Sequence, residues 1–253
     1  MNNKSSSTKT IFGYHPVISV LSRTPGHVTC VYLQSRKYDD HSEEILQLVQ
    51  KHNVPIKYLA RDRLSEMVYH ANHQGVVAAV TRGGDYTENN LTDLLGKIVG
   101  PPLLLILDGV QDPHNLGACL RTASAAGVHA VIAPKDKACG LTPVVYKVAS
   151  GAAETIPFIQ VTNLSRTMEM LKELNIWLYG AAEEAEQSIY DVDLLGPAAL
   201  VLGGEGEGLR RLTQKNCDFL VKIPMTGAVP NLNVSVATGV CLFEAVRQRL
   251  KKI

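Results

Sequence analysis

The chain has 253 residues, of which 45% are hydrophobic, and a formal net charge of +1. This length and apolar content suffice for one large or two small domains, and the small net charge leaves a nucleic-acid partner open. No stretch reaches the roughly 18 to 20 consecutive apolar residues of a membrane span, and the polar start MNNKSSSTKT lacks the apolar run of a secretory signal. We therefore expect a cytoplasmic globular protein.

The cysteines lie far apart, without a C-x-x-C pair or a spacing typical of metal ligands. In a chain too large to need covalent cross-links, this predicts reduced thiols and no metal site. The residues concerned are Cys30, Cys119, Cys139, Cys217 and Cys241.

The first part of the chain predicts a small α/β/α domain. Residues 1–10 are polar and predict a disordered tail, whereas from 11 to 81 helical patterns alternate with β-rich runs such as TCVYLQ and GVVAAV. Residues 1–80 carry nine Lys and Arg against six Asp and Glu, a modest excess that weakly favours an anionic partner. Residues 82–101 are polar with glycine or proline at both ends, and we interpret them as a linker.

Residues 102–253 again alternate strand and helix patterns. The run LLLILDGV is too apolar to have a solvent-exposed face and predicts a buried parallel strand. Strand and helix taking turns predict a parallel sheet covered on both faces, with ligands bound at the carboxyl ends of its strands. A closing helix is predicted from about Val234 to Lys251, and we expect its apolar positions to face the core; these are Val236, Val240, Phe243, Val246 and Leu250.

The first stretch with a chemical character is D-P-H-N-L-G-A-C-L-R-T-A, residues 112–123, directly after that buried strand. Asn115 is suited to capping the helix, and Arg121 lies about two turns inside it among small residues that permit a ligand to approach closely. A capped helix with a surface arginine explains the same pattern equally well.

The second stretch is L-V-L-G-G-E-G-E-G-L, residues 200–209, again after a buried strand. Its spacing differs from the dinucleotide motif G-x-G-x-x-G, and two carboxylates stand where a pyrophosphate would have to approach. A cofactor with a positive centre and no phosphate, such as a sulfonium, meets no such repulsion. A plain glycine-rich turn with solvated glutamates is the alternative.

The third stretch, residues 223–237, is a strand end, a turn rich in small residues and the start of the closing helix. The free N–H groups of a helix start need partners. Asn231, Asn233 and Ser235 are the polar side chains left to face a ligand, although such residues at a helix entrance often do no more than cap it.

In this order, N-L-G-A-x-x-R-T-A, L-G-x-E-G-x-G-L and I-P-M-x-G-x-x-x-x-L-N-V-S-V-A closely resemble the three motifs of the SpoU family of RNA ribose methyltransferases, part of the SPOUT superfamily. The resemblance runs from about Leu103 to the end of the chain. The opening F-G-Y-H-P-V and the H-Q-G-V from His73 to Val76 resemble the L30e-like substrate-binding domain that precedes the catalytic domain in members acting on bacterial 23S ribosomal RNA.

The resemblance implies an L30e-like RNA substrate-binding domain at 11–81 and a catalytic domain at 102–253 whose α/β sheet is tied into a deep trefoil knot. It implies S-adenosylmethionine as the methyl donor, no metal, and a homodimer formed through the catalytic domain. The implied partner is 23S rRNA or its large-subunit precursor. The implied reaction is 2′-O-methylation of a specific guanosine ribose in the peptidyl-transferase region, domain V.

The resemblance also assigns roles to residues. Arg121 would act at the ribose hydroxyl; because a guanidinium is a poor base, we favour a donor that stabilises the developing alkoxide and grips the adjoining phosphate, with its deprotonation as the alternative. Asn115 and Glu205 would orient Arg121 and the ribose, Asn233 would shape the pocket floor, and Ser235 would assist. The cofactor would be held by Leu202, Gly203, Gly204, Ile223, Met225 and Leu232.

One position departs from the family pattern, and the RNA contacts are the least specific assignment. Family members commonly have serine where this chain has Asn231; asparagine keeps a donor and an acceptor, so we expect activity to survive. RNA is recognised through loops, stacking and phosphate contacts, and the front domain offers these candidates: Arg36, Lys37, Arg61, Arg63, His73 and Gln74.

The sequence leaves one alternative function open and disfavours two others. The same fold acting on another rRNA nucleotide or on a tRNA stays open, because target choice depends on loops that the motifs do not describe. A non-catalytic RNA-binding protein of ribosome assembly is disfavoured because Asn115, Arg121, Glu205 and Asn233 are all present. A nicotinamide-dependent oxidoreductase is disfavoured because the G-x-G-x-x-G motif after an early strand is missing.

Overall fold

The structure is a computed structural model that describes residues 8–23, 25–35, 40–81, 86–206 and 208–250. Its contacts divide the chain into two compact units. The N-terminal unit comprises Met1–Asp85 and the short segment Ser150–Thr155, and the C-terminal unit comprises Tyr86–Ala149 and Ile156–Ile253. No helix in the described ranges is both long and apolar enough to cross a membrane.

The N-terminal unit is a four-stranded sheet in the order β1-β4-β2-β3, in which β4 is antiparallel to both neighbours and β2 is parallel to β3. Helices α1 and α2 contribute Leu21 and Ile45 to one apolar cluster of this unit. Helix α3 contributes Leu64 to a separate apolar cluster, which gives the predicted α/β/α arrangement. The elements are β1 (Thr8–Phe12), α1 (Tyr14–Arg23), β2 (Val28–Gln34), α2 (Asp40–Lys51), β3 (Ile56–Leu59), α3 (Arg61–Met67) and β4 (Val76–Thr81).

The C-terminal unit is built on a seven-stranded parallel sheet in the order β7-β6-β5-β10-β8-β11-β9. Its strands are β5 (Leu103–Asp108), β6 (Ala130–Pro134), β7 (Phe158–Val161), β8 (Trp177–Ala181), β9 (Gln187–Ser188), β10 (Ala198–Gly203) and β11 (Phe219–Lys222). Its helices are α4 (Leu91–Leu95), α5 (Pro113–Ala125), α6 (Pro143–Ala149), α8 (Leu164–Glu173), α9 (Arg211–Asn216) and α10 (Val234–Leu250); α7 (Ala152–Thr155) belongs to the N-terminal unit.

Burial explains why these strands lack alternating polar positions. All residues of β5 and β6 are buried, as predicted for strands covered on both faces. The late strand β10 lies between β5 and β8, and β11 pairs with the other side of β8. The carboxyl ends of four adjacent strands therefore meet at one edge of the sheet, and the three motifs follow three of them. The deep trefoil knot stays a prediction from the resemblance.

Two predicted boundaries differ from the structure. Residues 8–10, predicted to belong to a disordered tail, form part of β1 and pair with β4. Residues 86–101, predicted to be linker, are part of the C-terminal unit: Leu91 is fully buried in its core, and the Glu88 carboxylate accepts a hydrogen bond from the Thr162 N–H at 3.0 Å. The segment was predicted to be a linker because most of its residues are polar, although it packs on the C-terminal unit through one apolar face.

The residues by which α10 faces the core also differ from the apolar positions that were predicted to do so. The helix packs inward through Val234, Thr238, Cys241, Leu242 and Ala245. By contrast Val236 is 51%, Phe243 48% and Leu250 64% exposed, and we call these three residues the α10 stripe. The prediction was wrong for these three positions, because helical spacing identifies an apolar face of a helix but does not say what covers it; Val240 and Val246 are partly buried.

Candidate active site

A cavity of about 740 Å³ opens at the carboxyl edge of the sheet, a volume typical of small-molecule sites. Its lining comes from the ends of β8, β10 and β11, the loops that follow them, and the start of α10. Sequence reasoning had placed several of these side chains at a ligand, but it did not predict the contribution of Ala181–Glu184 after β8. All of the predicted cofactor residues line it, namely Leu202, Gly203, Gly204, Ile223, Met225 and Leu232.

The loop after β10 doubles back on itself. Gly204 and Gly208 form an isolated antiparallel bridge, and the Gly204 N–H donates to the Asp108 carbonyl at 2.8 Å. A Cβ on Gly203 would overlap the backbone of Gly208, and one on Gly204 would overlap the carbonyl of Gly109. These two glycines are therefore required by the close approach of backbone to backbone. We call residues 203–206 and 208–209 the Gly-rich loop.

Asp108 and Arg210 form a contact that sequence reasoning missed, in which the carboxylate is buried and the guanidinium is partly exposed. Asp108, the last residue of β5, is 1% exposed; its carboxylate accepts from the Arg210 backbone N–H at 3.1 Å and from Arg210 Nε at 2.6 Å, and it also pairs with Arg210 Nη2. The sequence feature that could have predicted this contact is the single acidic residue at the end of an otherwise apolar strand, because a buried carboxylate needs a partner.

The first and third motifs meet through a short chain of hydrogen bonds. Asn233 Nδ2 donates to Asn115 Oδ1 at 3.1 Å, and Asn233 Oδ1 accepts from the Ser235 N–H at 2.9 Å and from Ser235 Oγ at 2.6 Å. Asn233 thus caps α10 and joins it to α5. Asn115 does not cap α5 as predicted: Asp112 does so, accepting from the His114 N–H at 3.0 Å, and burial of Asn115 turns its side chain to Asn233 instead.

Arg121 is exposed on α5 and does not line the cavity. Among the residues that the structure describes, it makes no hydrogen bond or ion pair. The prediction that Asn115 and Glu205 orient Arg121 is therefore not met in this structure: Asn115 is engaged with Asn233, and Glu205 is an exposed residue of the cavity lining. Arg121 is available to a ligand that approaches from outside the cavity.

A buried thiol lies between these elements. Cys119 Sγ is 3.4 Å from Thr238 Oγ1, so it joins α5 to α10. Burial raises the pKa of the Cys119 thiol to about 11, the hydrogen bond with Thr238 opposes this rise, and the nearby Glu205 carboxylate adds to it. Because the thiolate is the reactive form, Cys119 is not a nucleophile at neutral pH.

The structure describes four of the predicted RNA contacts of the N-terminal unit, and these four differ in exposure. Arg61 and Arg63 are exposed on α3, where Arg63 pairs with Glu66 at 2.9 Å. His73 is only 5% exposed; its ring accepts from the Gly75 N–H at 3.0 Å and lies 3.1 Å from Ser65 Oγ, so its assignment to RNA is wrong because it is an interior residue of the fold. Gln74 is exposed and accepts from the Tyr14 N–H at 3.0 Å. Arg36 and Lys37 lie outside the described residues.

Asn231, the residue that departs from the family pattern, is exposed and lines the cavity. Its effect on activity stays a prediction. Within the described ranges, no three His, Cys, Asp or Glu side chains come together in a way that would hold a metal ion.

Comparison with known proteins relates both units to one group of sequences. The model of the SpoU rRNA Methylase family matches residues 102–243, and a model described as RNA 2′-O ribose methyltransferase substrate binding matches residues 10–83. The chain is 52% identical over 247 residues to a Pseudomonas putida protein named 23S rRNA (guanosine-2′-O-)-methyltransferase RlmB, covering 98% of this chain and 99% of that protein. An Escherichia coli protein of the same name is 52% identical over 239 residues, covering 94% and 98%.

Solved structures share the fold. The SpoU methyltransferase AviRb from Streptomyces viridochromogenes, in complex with the cofactor AdoMet, superposes with a TM-score of 0.74 at 24% identity, covering 99% of this chain and 95% of that chain. A crystal structure of an RNA 2′-O ribose methyltransferase gives a TM-score of 0.69 at 26% identity and covers 97% and 90%. These likenesses extend over both compact units.

Proposed function

The chain belongs to the SpoU rRNA methylase family, and from that premise we propose that it methylates the ribose 2′-oxygen of one guanosine in domain V of 23S rRNA. The enzyme is an S-adenosylmethionine-dependent rRNA (guanosine-2′-O-)-methyltransferase. The observation that carries the proposal is the convergence of the second and third motifs on one cavity, with the first motif joined to them through Asn115 and Asn233.

The cavity lining suits S-adenosylmethionine. Its apolar side chains, Leu202, Ile223 and Leu232, offer contacts for an adenine ring, and the loop backbone offers N–H and C=O groups. The described charged side chains of the lining are three carboxylates and one cation: Glu183, Glu184, Glu205 and Lys222. This balance favours a positively charged ligand without phosphate. When bound, S-adenosylmethionine supplies an electrophilic methyl group on its sulfonium.

Arg121 acts on the RNA in this proposal. We assign Arg121 to the ribose hydroxyl and the adjoining phosphate on the family resemblance, and the exposure of its side chain outside the cavity lining supports a contact with RNA and not with the cofactor. A guanidinium donates hydrogen bonds and stays protonated, so it would stabilise the negative charge that develops on the 2′-oxygen. The hydroxyl proton would pass to solvent water, and the oxygen would accept the methyl group from the sulfonium, which leaves as a neutral thioether. We assign Glu205, an exposed residue of the cavity lining, to orienting the ribose, whereas the hydrogen bond between Asn115 and Asn233 joins α5 to α10 and Asn233 in turn accepts from Ser235.

The N-terminal unit selects the target. The resemblance to the substrate-binding domain and the matching family model support a contact with rRNA, and the exposed Arg61, Arg63 and Gln74 are the described candidates that remain. The relatives named above act on 23S rRNA by their names, and the resemblance implies the loop of domain V in the peptidyl-transferase region.

We further propose that two copies pair through the catalytic domain. The α10 stripe, Val236, Phe243 and Leu250, is apolar and exposed on a helix whose other face is buried, and exposed apolar patches of this kind mark protein interfaces. Sedimentation equilibrium should give a dimer for the full chain and a monomer for Phe243→Glu. A monomeric wild-type chain would refute the pairing.

The proposed reaction is tested by transfer of labelled methyl from S-adenosylmethionine to unmodified large-subunit RNA, followed by nuclease digestion and mass spectrometry. We expect a single 2′-O-methylguanosine in domain V. Label on tRNA alone would retain the chemistry and overturn the target, and the absence of label from every RNA would favour a non-catalytic RNA-binding protein.

A further inference from the structure

The contact between Asp108 and Arg210 is not used by the chemistry above, and neither residue lines the cavity. Asp108 ends β5, and Arg210 follows the Gly-rich loop directly and precedes α9. We propose that this pair is a positioning device which fixes the Gly-rich loop in the conformation that binds S-adenosylmethionine. The inference rests on the proposed function, because it takes the cavity as the cofactor site.

One residue, Asp108, holds both ends of the loop. Its main-chain carbonyl accepts from the Gly204 N–H at 2.8 Å, which fixes the point where the loop leaves β10. Its carboxylate, whose side chain is 0% exposed, accepts from the backbone N–H and the guanidinium of Arg210, which fixes the point where the loop enters α9. The planar two-pronged geometry of an arginine restrains direction as well as distance.

The loop needs such restraint because of its composition. Glycine has more backbone conformations to lose than any other residue, so a loop rich in glycine is ordered only at an entropic cost. If the loop is already ordered in the free protein, cofactor binding does not have to offset the entropy lost on ordering it. Releasing the end at Arg210 should therefore weaken binding even though no group that touches the cofactor is removed.

The C-terminal unit contains a second ion pair that serves as a matched control. Lys172 Nζ lies 2.9 Å from Asp218 Oδ1, and its side chain is 40% exposed, against 41% for that of Arg210. The Asp218 carboxylate also accepts from a backbone N–H, that of Leu178. Neither Lys172 nor Asp218 lines the cavity. The two cations are therefore almost equally exposed, and each pairs with a carboxylate that also accepts from a backbone N–H, although the Asp108 carboxylate is 0% and that of Asp218 13% exposed. Only the pair of Asp108 and Arg210 has the Gly-rich loop between its partners.

The test compares Arg210→Met with Lys172→Met in the full-length chain. The melting temperature of the free protein should fall in both variants, and further in Arg210→Met, because the carboxylate that this variant leaves without its arginine is fully buried. Isothermal titration with S-adenosylmethionine should give a Kd about tenfold higher for Arg210→Met alone, because the loop is then ordered only when the cofactor binds and the free energy of that ordering opposes binding. In transfer assays the KM for S-adenosylmethionine should rise in Arg210→Met, with kcat at saturating cofactor changed by less than about twofold, the pattern of lost ground-state binding.

Amide hydrogen exchange supplies a readout that needs no cofactor. In the free protein, exchange at Gly204 and Leu209 should be faster in Arg210→Met than in Lys172→Met. An unchanged Kd, or equal losses of affinity in the two variants, would overturn the inference. If Arg210→Met does not fold, Arg210→Lys keeps the charge but loses the two-pronged contact, and a wild-type Kd in that variant would overturn it equally. Failure of the wild-type chain to bind S-adenosylmethionine would instead overturn the proposed function, and the exchange comparison would still decide whether the pair fixes the loop.

Discussion

The two compact units bury the centres of their sheets to a similar extent but arrange their predicted functional residues differently. Every residue of β5 and β6 in the C-terminal unit is buried, and so are residues 76–80 of β4 in the N-terminal unit, whereas the edge strands β9 and β3 have only partly buried and exposed positions. The residues predicted to hold the cofactor line one cavity in the C-terminal unit, whereas the candidates described in the N-terminal unit are two exposed arginines of α3, a buried histidine and an exposed glutamine.

This difference has a physical origin. A parallel sheet covered on both faces leaves its carboxyl edge for ligands, so motifs that follow its strands must come together there. A domain that contacts RNA uses an open surface, where a phosphate-binding arginine and a merely solvated one have the same sequence environment. If cofactor chemistry and RNA selection are divided between the two units in this way, changes in each unit should affect them separately.

The largest effect is expected for Arg121→Ala in the C-terminal unit. Removing a donor that stabilises charge at the reacting oxygen should lower methyl transfer by about 10³-fold. The Kd for S-adenosylmethionine should stay within about twofold, because Arg121 does not line the cavity. Single-turnover transfer and isothermal titration measure the two quantities. Arg166→Ala, an exposed arginine on α8, is the control, and wild-type turnover in Arg121→Ala would remove its catalytic assignment.

Removal of residues 1–85 tests the division directly. We expect kcat/KM on 23S rRNA to fall by about 10²-fold or more, because the RNA contacts of the N-terminal unit are lost, while S-adenosylmethionine still binds. Circular dichroism checks that the remaining chain is folded, and isothermal titration checks the cofactor. Site-specific methylation at the wild-type rate by the truncated chain would show that the C-terminal unit selects the target by itself.

A smaller effect is expected for Asn233→Ala, which removes the cap of α10 and its bond to Asn115. Loss of a cap costs about 1 kcal/mol of stability. Asn163→Ala is the matched control, because Asn163 caps α8 by accepting from the Arg166 N–H at 3.1 Å. Thermal melting should give similar losses for both variants. Transfer should fall about tenfold in Asn233→Ala only; equal activities would mean that Asn233 is a cap and nothing more.

The smallest effect concerns pH. Burial lowers the pKa of His129, a hydrogen bond with the Leu103 backbone opposes the shift, and Arg249 adds to it. The unfolded chain therefore binds more protons than the folded chain below the ordinary histidine pKa of about 6.5. Stability from this group is present above that pH and is lost as the pH falls. Between about pH 7 and about pH 5, the melting temperature of the wild type should fall by about 2 °C more than that of His129→Gln. Parallel curves would exclude this coupling.

Local patterns were sufficient for much of the fold. The apolar run at 103–108 predicted a doubly covered strand because it left no polar face, and the alternation of strand and helix predicted the parallel sheet. The glycine-rich spacing after β10 and its carboxylates excluded a dinucleotide and favoured a cationic ligand. The three motifs together identified the family, and Leu202, Ile223 and Leu232 indeed line one cavity.

What the sequence alone determined are features that depend on neighbours along the chain: which segments are strands or helices, and which motifs follow them. Only the tertiary structure decided the partners across the chain. Asp108 meets Arg210 because β10 is inserted beside β5, and Asn115 bonds to Asn233 because α5 packs on α10. His73 is interior, with its ring beside Ser65 of α3 and the Gly75 N–H. Burial and pairing are properties of contacts between residues far apart in sequence, and periodicity within one element contains no information about what covers it.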